Sequence, residues 1–259
     1  MTQYNMSLLK ELVITDFKLR YQGSALGYIW SVMKPLAFFV VLYIVFSKFV
    51  RFDSVEHYAL YLLVGVVIWN FFVEATTSGL ESIVSRESLI RKVTLPKYVI
   101  VLSTSIAALI NLFINLAVVA VFIVVTDVTL GLEALLFIPL MLELFIFAMA
   151  IAFILSALYV RYRDFSHLWE VVTQLAFYAT PIIYPITLVP APYNKILLMN
   201  PVAQVIQDSR QVLVTPETVT GADLVNSAKI FIPYLIVAVT VVIAVYYFKS
   251  QSKNFAENL

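Results

Sequence analysis

Six stretches of this 259-residue chain are each long and apolar enough to cross a bilayer. A helix needs about 20 such residues to traverse a hydrocarbon core of about 30 Å. The stretches run over 30–50, 58–80, 98–126, 134–160, 170–190 and 230–248. The third and sixth carry no charge, the second only Glu74, and the fourth only Glu143. Lys34 and Lys48 lie near the ends of the first, where long side chains reach water. The expected fold is all-α and integral to the membrane, with six transmembrane helices. Residues 1–29 form an arm ahead of a single six-span domain over 30–259.

Composition closes off the other classes. Hydrophobic residues make up 62% of the chain and charged residues 13%, about half the usual quarter. A soluble globule of this length cannot bury that much apolar surface. A net charge of +1 offers no field to attract nucleic acid. Zero Cys excludes disulfides, thiolate metal sites and cysteine nucleophiles.

Orientation follows from Lys and Arg. One side receives Lys10, Lys18, Arg20 and Lys34, then Arg86, Arg91, Lys92 and Lys97, then Arg161, Arg163, Lys249 and Lys253. The other receives Lys48, Arg51, Lys195, Arg210 and Lys229, over longer segments. Both termini are therefore expected in the cytoplasm. The first apolar run follows a charged arm too late to read as a cleaved signal peptide. In that arm Leu9, Val13, Phe17 and Tyr21 recur every four residues, with polar residues between them. This pattern predicts an amphipathic helix in the headgroup plane. Pro181, Pro185, Pro190 and Pro192 crowd the end of the fifth stretch. They predict a broken or re-entrant extracytoplasmic excursion before the sixth, either a pore mouth or a packed loop.

The chemistry that is missing narrows function. None of the six Gly is followed by Lys, so no Walker A loop can hold a nucleotide. His57 and His167 fall on opposite sides of the membrane in this topology and sit in no nucleophile constellation. Intramembrane polar groups are costly and therefore candidates. Glu143 and Asn115 come out at matching depth in adjacent antiparallel spans, with Asn111 one turn away. They form either an ion relay or an interhelical hydrogen bond, and the bond is the commoner use. Aromatics are many: 3 Trp, 15 Tyr and 19 Phe. Trp30 and Trp169 fit an interfacial belt, whereas Trp69 lies too deep for one. Phe39, Tyr43 and Phe46 share a helix face, either as a platform for sugar C–H faces or as ordinary packing.

Several motifs then align. Arg20-Tyr21-Gln22-Gly23-Ser24-Ala25-Leu26-Gly27-Tyr28-Ile29-Trp30 precedes Lys34-Pro35-Leu36. Ile90-Arg91-Lys92-Val93-Thr94-Leu95-Pro96 and Tyr162-Arg163-Asp164-Phe165 occupy basic loops. Thr180-Pro181-Ile182-Ile183-Tyr184-Pro185 and Asn200-Pro201 follow. In this order the chain resembles the membrane (permease) subunits of ABC-2-type polysaccharide exporters, which include O-antigen and teichoic-acid exporters.

The resemblance implies a multi-pass subunit of the bacterial inner membrane. It also implies a homodimer joined to two separate ATP-binding subunits, which would hold ATP and Mg; no cofactor is expected on this chain, and no catalysis. The substrate implied is a lipid-linked polysaccharide moved outwards. Arg86, Glu87, Arg91, Lys92, Arg163 and Asp164 are then the expected contacts to the ATPase. Phe39, Tyr43, Phe46, Trp69, Tyr178 and Tyr184 are the expected channel lining. Arg20, Tyr21, Gly23, Gly27 and Trp30 mark the interface arm, where the lipid-linked end would enter, and 188–225 would gate the outer mouth. The alternatives are an ABC-2 permease for a drug or lipid and an ion-coupled secondary transporter. Folds of the second kind often show an internal repeat, and none is visible in this sequence.

Overall fold

The computed structural model describes residues 3–21, 29–50, 55–92, 95–225 and 229–255. In chain order the α-helices are α1 (Gln3–Tyr21), α2 (Ile29–Ile44), α3 (Tyr58–Glu81), α4 (Glu87–Lys92), α5 (Lys97–Val125), α6 (Phe137–Arg161), α7 (Phe165–Ala179), α8 (Tyr193–Leu197), α9 (Pro201–Leu213), α10 (Gly221–Leu224) and α11 (Ile232–Gln251).

The expectation of six transmembrane helices is corrected. Among the described residues four helical segments are long and apolar enough to cross a membrane: Tyr58–Glu81, Lys97–Val125, Leu132–Arg161 and Lys229–Asn254. The first expected span is instead a 16-residue α2, which contains Pro35 and passes into the π-helical turn Val45–Val50. The fifth is a 15-residue α7 that stops at Ala179, because Pro181 supplies no backbone donor to extend it. Both stretches have the composition of a span without its unbroken helical length.

The bundle is centred on α3, which packs against α5, α6, α7 and α9 and is buried along most of its length. Gly79 lets α3 approach α6 closely, since a Cβ there would strike that of Ala152. Small residues commonly set such crossings in membranes, where dispersion rather than water expulsion drives packing. The Trp169 indole of α7 donates to Thr76 Oγ1 of α3 at 3.1 Å.

The arm is helical over Gln3–Tyr21, and the side chains of Phe17 and Tyr21 lie outside the described residues. In α1, Leu9 is buried and Leu8, Leu12 and Val13 are half-buried, while Lys10, Glu11, Thr15 and Lys18 are exposed. It lies against α5, with the Ser103 hydroxyl donating to Asp16 Oδ2 at 3.0 Å.

The excursion after α7 is packed structure. Asn200 caps α9 by accepting from the Val202 N–H at 3.0 Å, and Pro201 occupies the first turn, where its missing donor costs nothing. From there α9 buries Val202, Val205 and Ile206 against α3 and α6. One side chain holds this junction. Arg210 is fully buried and donates to the carbonyls of Tyr61 (2.9 Å), Pro181 (2.7 Å) and Ile182 (2.6 Å), and to Gln207 Oε1 at 3.2 Å. Its guanidinium lies 3.6 Å from the centre of the Tyr61 ring, a cation–π contact. Gly65, one turn beyond Tyr61, leaves room for it: a Cβ there would collide with the guanidinium. The planar fork of donors thus ties one carbonyl of α3 to two in the turn where α7 ends.

Candidate functional site: a polar cleft in the bundle

A cleft of about 750 Å³ opens between α2, α3 and α5. From α3 it receives Asn70, Glu74, Thr77 and Ser78, from α5 Asn111 and Asn115, and from α2 Lys34 beside Trp30 and Phe38. Helical spacing explains the grouping: 70, 74, 77 and 78 share one face of α3, as do 111 and 115 of α5. Asn111 Nδ2 donates to Glu74 Oε1 at 2.5 Å, and Asn115 Nδ2 to the Asn111 carbonyl at 2.8 Å. Asn111 is buried, Asn70, Glu74, Ser78 and Asn115 are half-buried, and Thr77 and Lys34 are exposed.

Interhelical hydrogen bonding is thus present, although its carboxylate is Glu74. Glu143 faces a different cavity, of about 410 Å³, together with Gln204 and Asp208 of α9. Matching depth along two helices places residues at one level but leaves open which way each points.

The expected aromatic lining divides. Phe39 is 3% exposed and packs edge-on to Phe122 of α5 (centroids 5.6 Å apart), with Tyr43 stacked on it at 5.9 Å. Trp69 is 5% exposed between Phe72 and Phe177. Phe46 is half-buried against the core. Tyr178 stands 64% exposed, and the Tyr184 hydroxyl donates to its carbonyl at 3.1 Å. Trp30 is exposed at the cleft. The arm residues Arg20 and Tyr21 end α1 in backbone; their side chains, and all of Gly23 and Gly27, lie outside the described residues.

The expected coupling residues also separate. Arg86 turns inward and pairs with Asp16 of the arm; burial draws its guanidinium pKa below the ordinary value. On α4, Arg91 pairs with Glu87 at 2.8 Å, and Lys92 is exposed. Arg163 lies 5.4 Å from the ring centre of Tyr159, and Asp164 is exposed ahead of α7. An outward-facing charged set therefore remains on α4 and the loop after α6. Asp16 and Arg210 escaped the sequence reading because their partners lie far off in the chain. The nearest signal for Arg210 was a basic residue among the apolar clusters that became α9.

Chemically, the cleft offers carboxylate and amide oxygens as acceptors, amides and hydroxyls as donors, and indole and phenyl faces. That set suits a hydroxyl-rich ligand with apolar faces.

Comparison with known proteins agrees with a membrane role. The chain is 29% identical over 262 residues to the O-antigen export system permease protein RfbA of Klebsiella pneumoniae, covering 99% of this chain and 98% of the relative. It is 25% identical over 254 residues to the protein of the same name from Myxococcus xanthus, covering 97% and 95%. The profile of one family, described as ABC-2 type transporter, matches residues 7–214. A match over that much of the sequence shows that the chain belongs to the ABC-2 type transporter family.

Proposed function

We propose that this chain is the membrane permease of an ATP-driven exporter that carries a lipid-linked polysaccharide of O-antigen or teichoic-acid type out across the bacterial inner membrane. The observation that carries this reading is the end-to-end similarity to O-antigen export permeases. The absent nucleotide loop supports a division of labour, with two copies of the permease joined to two ATP-binding subunits that hold ATP and Mg. Both termini and the basic end of the bundle then face the cytoplasm. There α4 and the loop after α6 receive the motion of the ATPase through Glu87, Arg91, Lys92, Arg163 and Asp164. Arg86, locked to Asp16, passes it to the arm.

The cleft between α2, α3 and α5 is one wall of the glycan path, and a second copy supplies the other. The exposed stripe Leu168, Val171, Val172, Leu175 and Tyr178 of α7 is apolar at helical spacing and suits contact with that copy or with lipid. Depleting the chain in its host tests the whole reading. The expected result is loss of the surface polysaccharide with lipid-linked glycan accumulating inside. Normal surface glycan would refute the assignment.

A further inference from the structure

A separate cleft of about 510 Å³ lies at the basic end of the bundle, between the start of α5, the second half of α6 and the last turns of α11. Phe153, Val245 and Phe248 form an apolar wall. Lys97, Lys249 and Lys253 line it too, and no Asp or Glu does among the described residues. The returning C-terminal segment assembles this arrangement. After α11 the chain makes the tight turn Ser252–Asn254 and buries Phe255, which is 1% exposed. Phe255 packs edge-on to Phe248 at 5.5 Å, and Phe248 edge-on to Phe153 at 4.9 Å. The Lys97 ammonium donates to the Ser252 carbonyl and stands 5.6 Å from the Phe255 ring centre. Lys249 and Lys253 are exposed and, among the described residues, join no ion pair.

Three lysines lining one cleft, with no carboxylate among its described lining residues, make it a place for an anion. The anion's nature follows from where the cleft lies. Lys97 opens one membrane-crossing segment, and Lys249, Ser252 and Lys253 close another. The lysines therefore sit at headgroup level and the phenyl wall at acyl-chain level. We infer that this cleft binds an anionic phospholipid, with its phosphate among Lys97, Lys249 and Lys253 and an acyl chain along Phe153, Val245 and Phe248. Basic pockets between helices at a membrane surface recognise such headgroups through added charge and apolar contact. A general excess of positive charge accounts for lysines at this end, but not for a tail pinned by a buried aromatic beside an apolar wall. This site is separate from the glycan cleft and does not depend on the proposed substrate.

The test is the unfolding midpoint of the purified full chain in micelles titrated with phosphatidylglycerol, phosphatidylcholine or a polyprenyl phosphate. Phosphatidylglycerol is expected to raise the midpoint saturably and phosphatidylcholine is not. The double variant Lys249→Gln/Lys253→Gln should need about 25-fold more phosphatidylglycerol for half the effect, since each lysine contributes about a factor of five. Lys249→Arg/Lys253→Arg should keep the wild-type response, and so should Lys229→Gln at the far end of α11. Equal stabilisation by phosphatidylcholine overturns the proposal, as does an unchanged response in the Gln variant. Saturation by the polyprenyl phosphate alone also overturns it, in favour of a substrate-lipid site. If the Gln variant fails to fold, the lipid preference of the wild-type chain still decides.

Discussion

Arg210 and Glu74 are both charged residues inside an apolar bundle, and the molecule uses them in opposite ways. Arg210 is fully buried, its donors aimed at backbone carbonyls of α3 and the turn after α7, with Gln207 beside them. Glu74 shares one oxygen with Asn111 and borders about 750 Å³ of open cleft. A polar side chain whose partners are all protein fixes a junction. One that borders open space is, in the proposed function, placed beside the ligand's path. Removing the first kind strands carbonyls in a dry interior, whereas removing the second takes a partner from a group that lines the cleft.

The largest effect should come from Arg210→Ala. It leaves the Tyr61, Pro181 and Ile182 carbonyls without that donor and is expected to cost about 3–5 kcal/mol. Thermal unfolding in detergent measures it, and a loss no greater than that of Glu74→Ala would break the contrast. Arg210→Lys should recover part of the loss, because a single ammonium cannot span the same fork. Gly65→Ala comes next, at about 1–3 kcal/mol, since the added methyl meets the guanidinium. Normal stability there would mean that Arg210 can leave its socket freely.

Glu74→Ala should cost about 1 kcal/mol or less, the usual scale of an interhelical hydrogen bond in membranes, yet reduce glycan export severely. Export at wild-type level would return Glu74 to a packing role. Arg91→Ala with Lys92→Ala should shift stability least, within about 0.5 kcal/mol, because both are exposed. Its expected signature is ATP hydrolysis without matching export in the assembled transporter; coupled activity in that variant would remove α4 from the transmission path.

How much of this was legible in the sequence depends on what each feature requires. The four unbroken crossings were plain, since 58–80, 98–126, 134–160 and 230–248 are long runs with at most one internal charge. The stretches at 30–50 and 170–190 misled because hydropathy sums composition and is blind to backbone continuity. Pro181 and the π-helical turn Val45–Val50 interrupt the helices without lowering apolarity. The arm's helix agrees with its four-residue period, of which Leu9 is buried and Val13 half-buried. Side-chain direction was not: Glu143 and Asn115 belong to different cavities despite their matching depth, and Phe39 points into the core from a face chosen by spacing. The Arg210 junction was illegible because its partners are backbone carbonyls 28 to 149 residues away, and carbonyls leave no mark in a sequence.

The central claim is that the cleft between α2, α3 and α5 carries the glycan while Arg210 only holds the frame. A photo-crosslinking residue placed at Asn70 or Asn115, and for comparison at Val121 on the exposed face of α5, tests it in cells making the polysaccharide with its ATPase stalled. The account predicts that the two cleft positions capture lipid-linked glycan and that Val121 captures membrane lipid only. Glycan captured equally at Val121, or at neither cleft position, would contradict it.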